Sequence, residues 1–328
     1  MNESKALIYK EYGLPSTVID VETRPVPDPG PGEVLLQVLA APVHPSDFGM
    51  ILGKYGQLKE LPAIAGREGV AVVKAAGEGV TEFQPGDRVV VPKEMGSWQT
   101  CGIVPAEGLF RVPADIPVEM AAMVMVNPPT AWRLLRDSGL ASGDWVIQNA
   151  ANSAVGLHVI EMAHHLGLKT INVVRREELV EPLLKLGADH VVLEDSGYEK
   201  RIKELTGGQP VKLALNSVGG ESAIHLVNAL SPGGIHITFG AMQFEAVRFP
   251  TRALIFNDVH MKGFWMDKWF RSHSQPRIQI MYDKIFDLMR KGIVSPSVDS
   301  TYPIEDFKQA FERAGQPRLG KVLFTFEA

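Results

Sequence analysis

The sequence predicts a two-domain α/β protein, with a discontinuous, mainly β domain and a doubly wound, six-stranded parallel sheet between its two segments. The first part of the chain reads as short apolar strands separated by Gly and Pro turns, and the middle alternates strand and helix signals. The last part returns to strand signals. We therefore expect residues 1–122 and 293–328 to form one domain and residues 123–292 the other, since 328 residues suffice for two cores.

The N-terminal strands are marked by β-branched and apolar runs between turn signals. Pro29–Gly32 (PGPG) and Pro85–Asp87 (PGD) supply the glycine and proline that tight turns require. Between such turns the pattern predicts strands at Ala6–Tyr9, Glu33–Ala40, Val70–Ala75 and Arg88–Pro92. This spacing is typical of a largely antiparallel β domain.

From Met120 onward the periodicity alternates between buried strands and amphipathic helices. The predicted strands are Trp145–Asn149, Thr170–Val174, His190–Leu193, Leu213–Asn216, Gly234–Gly240 and His260–Trp265. The predicted helices cover 120–138, 155–166, 177–186, 199–206 and 222–230. Six strands with crossover helices describe a doubly wound parallel sheet. The final strand, Lys321–Phe326, should pair back with the N-terminal domain and make it discontinuous.

Composition excludes several classes of protein. A net charge of −5 gives no electrostatic case for binding nucleic acid or an anionic membrane. Cys101 is the single cysteine, so neither an intramolecular disulfide nor a multi-cysteine zinc site can form. The N-terminus lacks the basic start and apolar run of a signal peptide, and no apolar run is long enough to span a membrane. We expect a cytoplasmic enzyme; a processed organellar protein would have the same features.

The turn after the first predicted strand of the sheet has the position of a dinucleotide phosphate loop. A strand-to-helix turn there directs backbone N–H groups and the positive helix end at a pyrophosphate. The usual glycines are replaced by Ser153 and Ala154, and only Gly156 remains as the glycine that packs helix against strand. An ordinary αβ turn is the alternative interpretation.

Two arginines follow the second strand of the sheet. Arg175 and Arg176 stand near the position where NAD-binding folds carry an acidic ligand of the ribose. An acidic side chain would repel a 2′-phosphate, whereas a guanidinium binds it through charge-assisted hydrogen bonds. The pair therefore predicts NADPH as the cofactor. The alternative is a solvated charge, although a cation is disfavoured at the start of a helix.

Several stretches resemble a known family. They are His44–Asp47 (HPSD), Gly53–Gly56 (GKYG), Gly66–Val70 (GREGV), Val126–Pro128 (VNP), Ile147–Ser153 (IQNAANS), Thr170–Arg175 (TINVVR) and Gly263–Trp265 (GFW). The chain order resembles the medium-chain dehydrogenase/reductase superfamily, with a GroES-like catalytic domain and a Rossmann domain. The motifs are similar to those of the 2-enoyl thioester reductases of mitochondrial fatty acid synthesis. Ala154 stands where those enzymes usually carry glycine, which puts the loop geometry in question.

The resemblance implies NADPH-dependent reduction of a trans-2-enoyl thioester, carried by coenzyme A or acyl carrier protein. It assigns Tyr55 to catalysis, as the residue that supports protonation of the α-carbon and the enolate-like transition state. An O–H donor held beside that developing charge would lower the barrier. Alternatively, Tyr55 is a loop aromatic that only packs against its neighbours.

The resemblance also implies the cofactor contacts and a homodimeric state. Asn127 would lie near the nicotinamide, and the 2′-phosphate would lie at Arg175, Arg176 and Glu177. Lys321 would return to the cofactor from the last strand, or it is a solvated edge-strand lysine. The phosphate loop would comprise Asn152, Ser153, Ala154 and Val155, and the nicotinamide would be lined by Phe239, Gly240, Ala241, Met242, Phe264, Trp265, Met266 and Asp267.

Zinc alcohol dehydrogenases of the superfamily carry a cysteine near the turn that is Pro45–Asp47 here, and a histidine in a Gly-His-Glu motif. This chain has no cysteine in the turn, and its second motif reads Gly66-Arg67-Glu68. Since catalytic zinc needs three protein ligands, we expect no metal. Two other functions stay open: a zinc-free reductase of quinones or α,β-unsaturated ketones, and an NADPH-binding protein with a structural or regulatory role.

Overall fold

The computed structural model describes residues 2–195, 197–242 and 245–327, and its internal contacts divide the chain into two compact units. Unit 1 comprises residues 1–126, 275–290 and 295–328, and unit 2 comprises residues 127–274 and 291–294. This division differs from the predicted boundaries chiefly at 275–290, which the sequence analysis assigned to the parallel-sheet domain. The predicted fold class, a mainly β region with a six-stranded parallel sheet, is confirmed.

The N-terminal part of unit 1 is built from short strands and three short helices. These are β1 (Asn2–Tyr9), α1 (Pro15–Val18), β2 (Ile19–Val26), β3 (Glu33–Pro42), α2 (Pro45–Ile51), β4 (Ala63–Ile64), β5 (Val70–Ala76), β6 (Arg88–Val90), β7 (Cys101–Pro105), β8 (Arg111–Val112) and α3 (Val118–Ala121). Three of these strands (β1, β3 and β5) contain runs predicted from the sequence, and β6 covers the first three residues of the fourth predicted run, Arg88–Pro92. Alternating apolar residues of β3 and β5 contribute to one core with the fully buried Trp98.

The helix predicted over 120–138 is interrupted, and this prediction was wrong. Helix α3 ends at Ala121, and a second helix, α4 (Asn127–Arg136), begins six residues later. The backbone N–H groups of Met125 and Val126 donate to Oε1 of Glu68, at 2.6 and 2.7 Å, instead of continuing a helical ladder. Pro128 and Pro129 then start α4, where missing N–H groups cost nothing.

Unit 2 continues from α4 with alternating strands and helices. Its further elements are β9 (Trp145–Gln148), α5 (Ala154–His165), β10 (Lys169–Val174), a 3₁₀ turn (Glu177–Leu179), α6 (Val180–Lys185), β11 (His190–Leu193), α7 (Glu199–Leu205), β12 (Val211–Asn216), α8 (Gly220–Ala229), β13 (Ile235–Thr238), α9 (Thr251–Phe256), β14 (His260–Gly263) and α10 (Met266–Arg271). All six predicted strands of this sheet are present. Three end earlier than predicted, at Gln148, Thr238 and Gly263.

The strand order of unit 2 locates the point where a ligand should bind. The six strands run β11-β10-β9-β12-β13-β14, and every neighbouring pair is parallel. The chain moves outward from β9 in one direction to β11 and then returns to β12 on the other side. The carboxyl ends of β9 and β12 therefore flank the topological switch point, where doubly wound sheets bind their ligands.

The C-terminal part returns to unit 1 through α11 (Gln275–Arg290), β15 (Val298–Tyr302), a 3₁₀ turn (Ile304–Asp306), α12 (Phe307–Gly315) and β16 (Lys321–Thr325). Strand β16 pairs antiparallel with β3 and parallel with β15, which confirms its predicted return to the N-terminal strands. The ring of Tyr282 on α11 contacts that of Phe110, with centroids 5.1 Å apart. This packing groups α11 with unit 1. No helix in the described ranges has the length and apolarity needed to cross a bilayer.

Candidate active site and cofactor site

The turn between β9 and α5 has the geometry of a phosphate loop despite its missing glycines. Ser153 is the N-cap of α5, and its Oγ accepts a hydrogen bond from the Gly156 N–H at 3.1 Å. A Cβ on Gly156 would lie 2.5 Å from the Ala151 carbonyl oxygen, so only glycine fits there. Ala154 is the first residue of the helix and has no positive φ, so an alanine is compatible with this loop.

Buried amides fix this loop to the sheet. Nε2 of Gln148 on β9 donates to the Gly156 carbonyl at 2.9 Å and to Oδ1 of Asn172 on β10 at 2.7 Å. Asn172 in turn donates to Oγ1 of Thr170 and to the His190 carbonyl. The amide groups thus join the start of α5 to three adjacent strands without any charge.

A second amide network lies at the switch point. Nδ2 of Asn149 donates to Oδ1 of Asn216 at 2.8 Å and to Oγ of Ser222 at 3.0 Å, while its Oδ1 accepts from the Ser217 N–H. Asn216 Oδ1 also accepts from the N–H groups of Val218 and Gly219. The ends of β9 and β12 are therefore held together where a cofactor would enter.

The two arginines lie directly after β10. The side chain of Arg175 is exposed, and it makes no hydrogen bond or ion pair within the ranges that the structure describes. Nη1 of Arg176 is 2.8 Å from Oε1 of Glu178. Glu177 is exposed and begins the 3₁₀ turn. Arg175 is thus available for an anion, whereas Arg176 already has a carboxylate partner.

The predicted nicotinamide segments follow β13 and β14. The Phe239 N–H donates to the Asn216 carbonyl, and the Met242 N–H to the Ser217 carbonyl, both at 3.0 Å. A Cβ on Gly240 would lie 3.1–3.2 Å from Ser217, so a larger residue would press on that strand end. Ala241 lies between these anchored positions.

After β14, the Phe264 N–H donates to the Thr238 carbonyl at 3.0 Å. Trp265 is the N-cap of α10, and the guanidinium carbon of Arg271 lies 4.7 Å from the centroid of its ring. The next two residues, Met266 and Asp267, are buried. The four segments 152–155, 175–177, 239–242 and 264–267 follow the carboxyl ends of β9, β10, β13 and β14. The structure therefore gathers them along one edge of the parallel sheet.

Two buried polar atoms of unit 2 fit an absent polar ligand. Nδ2 of Asn127, the first residue of α4, and Oγ of Ser217, after β12, are buried and have no hydrogen-bond partner in the described part of the chain. Buried polar groups are nearly always hydrogen-bonded, so such atoms mark a place for a ligand. With the capped helix start and the available Arg175, they suit an NADPH molecule with its phosphates, ribose and carboxamide.

In unit 1, Tyr55 lies in the loop after α2. Its ring is partly buried, with Cδ2 3.6 Å from the position of a Cβ on Gly49 of α2. The guanidinium carbon of Arg67 lies 4.4 Å from the ring centroid. Arg67 itself is only 6% exposed. The ring therefore lies close to both the Gly49 backbone and a buried cation.

The other predicted residue of unit 1, Lys321, belongs to a buried polar chain. Its Nζ donates to Nδ1 of His44 at 3.0 Å, and His44 Nε2 lies 2.5 Å from Oε2 of Glu68. Because an ammonium only donates, Nδ1 is the acceptor and Nε2 carries the proton given to Glu68. Lys321 is buried on a strand with partners on both sides, so the alternative of a solvated edge-strand lysine was wrong.

Burial has the largest effect on the pKa values of the three side chains in this polar chain, Lys321, His44 and Glu68. Burial, and to a smaller extent the charge of Lys321, lowers the pKa of His44 to about 3. Burial also raises the pKa of Glu68 and lowers that of Lys321, while their opposite charges and the N–H groups of Val126 and Met125 oppose these shifts. Neutral His44 thus links a carboxylate and an ammonium that stabilise each other.

Within the described residues, the side chains at the positions of zinc ligands do not form a metal site. Among residues 2–195, 197–242 and 245–327, no group of three or more His, Cys, Asp and Glu side chains could hold a metal ion. His44 and Glu68 are committed to each other and to Lys321. The fold and the two sites define a nucleotide-dependent dehydrogenase/reductase of the medium-chain type.

Comparison with known proteins identifies the family. The alcohol dehydrogenase GroES-like domain matches residues 30–114, and the zinc-binding dehydrogenase domain matches residues 154–281. Enoyl-[acyl-carrier-protein] reductase, mitochondrial, from Xenopus tropicalis is 41% identical over 328 residues, covering 97% of this chain and 94% of that protein. The human enzyme is 40% identical over 320 residues, covering 95% and 86%. The chain belongs to this enoyl reductase family of the medium-chain dehydrogenase/reductase superfamily.

Solved structures agree with this assignment. An Etr1p/NADP/crotonyl-CoA complex superimposes with a TM-score of 0.91 at 26% identity, covering 99% of this chain and all of that one. The Etr1p/Etr2p heterodimer of mitochondrial 2-enoyl thioester reductase from Candida tropicalis superimposes with a TM-score of 0.90 at 26% identity, with the same coverage. A candidate NADPH:quinone reductase from Bacillus thuringiensis gives 0.92 at 28%, covering both chains fully.

The chain is therefore an oxidoreductase that reduces the C=C bond of 2-enoyl thioesters with NADPH. The expectation of a cytoplasmic location was wrong, because these enoyl reductase relatives are named as mitochondrial enzymes.

Sequence reasoning missed the residues that hold the sites together. Gln148, Asn149 and Glu68 appeared only as letters in the family motifs, and their roles depend on partners far away in sequence. The available signal was chemical: an amide or carboxylate inside an apolar strand or between glycines must find a buried partner.

Proposed function

We propose that Tyr55 is the catalytic residue of the enoyl thioester reduction, and that NADPH binds along the carboxyl edge of the parallel sheet. The observation that carries the cofactor proposal is the gathering of four strand-end segments at that edge, beside the orphaned polar atoms of Asn127 and Ser217. The contacts of the Tyr55 ring with Arg67 and Gly49 support the proposal that Tyr55 is catalytic.

The cofactor contacts follow from the chemistry of each segment. The start of α5, residues 152–155, would hold the pyrophosphate through backbone N–H groups, and Arg175 with Arg176 would bind the 2′-phosphate. The segments 239–242 and 264–267 would line the nicotinamide, with Asn127 donating to its carboxamide. Lys321 would contact the cofactor through its buried ammonium. Bound NADPH would supply a hydride, that is, one proton together with two electrons, to the β-carbon of the substrate.

Tyr55 acts at the other carbon of the double bond. When the β-carbon accepts the hydride, the C=C π electrons move toward the α-carbon and the thioester carbonyl. A phenol O–H near these atoms stabilises the negative charge and supports delivery of one proton to the α-carbon. The products are the saturated acyl thioester and NADP⁺, so one NADPH and one proton are consumed for each double bond.

The substrate carrier and the quaternary state are further parts of the proposal. Crotonyl-CoA is the ligand of one structural relative, whereas the enzyme relatives are named for acyl carrier protein. We propose that both thioesters are accepted, since the chemistry occurs at the acyl end that they share. Measuring kcat/KM with the same enoyl chain on each carrier tests this. If one of the two thioesters is not reduced, it is not a substrate.

A homodimer through β14 is supported by the surface of unit 2. This strand is at the edge of the sheet, all four of its residues are exposed, and the nearby Ile255 and Phe256 are 65% and 70% exposed. An edge strand with adjacent apolar side chains is a natural surface for pairing with a second copy. Sedimentation should give a dimer, and Met261→Glu on β14 should shift it toward monomer. A monomeric wild type would contradict this part.

The decisive experiment is kcat with crotonyl-CoA and NADPH for the wild type and Tyr55→Phe. Loss of the phenol should lower kcat about 10²–10⁴-fold and leave NADPH binding, followed by fluorescence, unchanged. Tyr12→Phe is the matched control, because it removes a phenol that only donates to the Lys59 carbonyl. Full activity of Tyr55→Phe would reject its catalytic role. Faster turnover of a quinone or a free enone than of crotonyl-CoA would favour the alternative reductase.

A further inference from the structure

We propose that Arg67 is a positioning residue for Tyr55, and that its buried guanidinium fixes the phenol ring and adds positive charge beside the hydroxyl. This inference rests on the proposed catalytic role of Tyr55. It adds a residue that the family motif does not assign, since the motif gave only the letters Gly-Arg-Glu-Gly.

The contact geometry is the first step. The Arg67 guanidinium carbon is 4.4 Å from the Tyr55 ring centroid, within the range of a cation–π interaction. Helix α2 also lies beside the tyrosine, since a Cβ on Gly49 would be 3.6 Å from Tyr55 Cδ2. These two contacts restrict the orientations open to the ring, and with them the direction of its hydroxyl.

The backbone around Arg67 is fixed on both sides. Gly66 has φ +83°, and a Cβ there would lie 2.4 Å from Oγ of Ser97 and 2.5 Å from the Trp98 ring. On the other side, Glu68 accepts hydrogen bonds from His44 and two backbone N–H groups. Arg67 therefore leaves a rigid turn, which fixes the point from which its buried side chain extends.

The charge is the second step. Arg67 stays protonated at any accessible pH, and at 6% exposure it is little screened by water. Burial raises the pKa values of the Asp47 and Glu68 carboxyls, and the charge of Arg67 opposes this by favouring their ionised forms. The same fixed charge favours the negative charge that develops beside the Tyr55 hydroxyl during reduction. A purely structural role would be limited to compensating the two carboxylates.

The test is a double-mutant cycle between Arg67→Met and Tyr55→Phe, with Arg67→Lys as the conservative variant. Met keeps the length and apolar packing of the side chain without its charge. We expect Arg67→Met to lower kcat with crotonyl-CoA about tenfold, which corresponds to roughly 1.4 kcal/mol, with a smaller change in KM. In the Tyr55→Phe background the same substitution should change kcat less than about twofold, and Arg67→Lys should recover part of the loss.

Arg111→Met is the matched control, because Arg111 lies over the Phe83 ring at 4.7 Å in the same unit. It should leave kcat unchanged. NADPH fluorescence and the thermal midpoint identify variants that fail to fold, in which case Arg67→Lys carries the comparison. An equal loss in both backgrounds, or wild-type kcat in folded Arg67→Met, overturns the inference while Tyr55 keeps its role. Wild-type kcat in Tyr55→Phe alone rejects the proposed function and the inference with it.

Discussion

The two units hold their functional groups by different physical means. In unit 1, the Lys321–His44–Glu68 chain joins an ammonium and a carboxylate through a buried imidazole. In unit 2, the neutral amides of Asn149 and Asn216 join two strand ends without charge. Charged groups in a low-dielectric interior interact strongly but depend on every partner, whereas amides bring little desolvation cost and no titration. Unit 1 should therefore respond far more steeply to substitution and to pH.

The largest expected difference concerns two buried carboxylates. Glu68→Ala leaves His44 and the charge of Lys321 without their partner, and should cost about 3–5 kcal/mol in the free energy of unfolding. In unit 2, the buried Glu161 lies 2.7 Å from Nδ1 of His158 on the same helix, and Glu161→Ala removes this hydrogen bond. It should cost about 1–2 kcal/mol. Urea denaturation followed by fluorescence measures both, and equal losses would remove the contrast between the units.

Acid sensitivity is the next difference. The pKa of His44 is lowered to about 3 by burial and by nearby positive charge, below its unfolded value near 6.5. A depressed pKa contributes stability that is complete above about pH 6.5 and is lost as the pH falls toward 3. The raised pKa of Glu68 acts in the opposite direction, so the wild type alone cannot isolate the histidine.

His44→Asn removes this titration while retaining an amide of similar size. Between pH 6.5 and pH 4, we expect the wild type to lose on the order of 1–3 kcal/mol more stability than the variant. Thermal midpoints across this interval provide the measurement. Parallel curves for the two proteins would mean that His44 does not resist protonation in the folded state.

Cofactor choice tests unit 2. Replacing Arg175 and Arg176 together by Ala should raise the KM for NADPH about tenfold, roughly 1.4 kcal/mol, and leave NADH kinetics nearly unchanged. Arg201→Ala is the control, since Arg201 forms an ion pair with Asp195 elsewhere in this unit. An equal effect on both cofactors, or wild-type use of NADH as readily as NADPH, would contradict the assignment of the 2′-phosphate to these arginines.

The smallest expected effect concerns metal. Protein purified without chelator should contain well under one zinc ion per chain, and EDTA should leave kcat unchanged, because zinc catalysis needs three protein ligands that the motifs of unit 1 do not supply. Elemental analysis and activity before and after chelation give the result. Stoichiometric zinc that is lost together with activity would show that the buried polar chain Lys321–His44–Glu68 of unit 1 binds metal.

The sequence by itself determined the order of elements and the chemistry of several sites. Strand and helix periodicity predicted all six parallel strands, because buried strands and amphipathic helices need distinct apolar patterns. The local motif around Gly156 predicted the phosphate loop, since a glycine at a tight helix–strand contact is a local requirement. Arg175 and Arg176 were recognisable because their place after a strand fixes their position relative to the sheet.

Only the tertiary structure decided which distant groups become partners. The break between α3 and α4 depends on Glu68, far away along the chain, and Lys321 meets His44 across 277 positions of sequence. The contact of Arg67 with Tyr55 likewise joins two loops. Periodicity reports which side of an element is buried, but the partner of a buried polar group depends on how the chain folds back on itself.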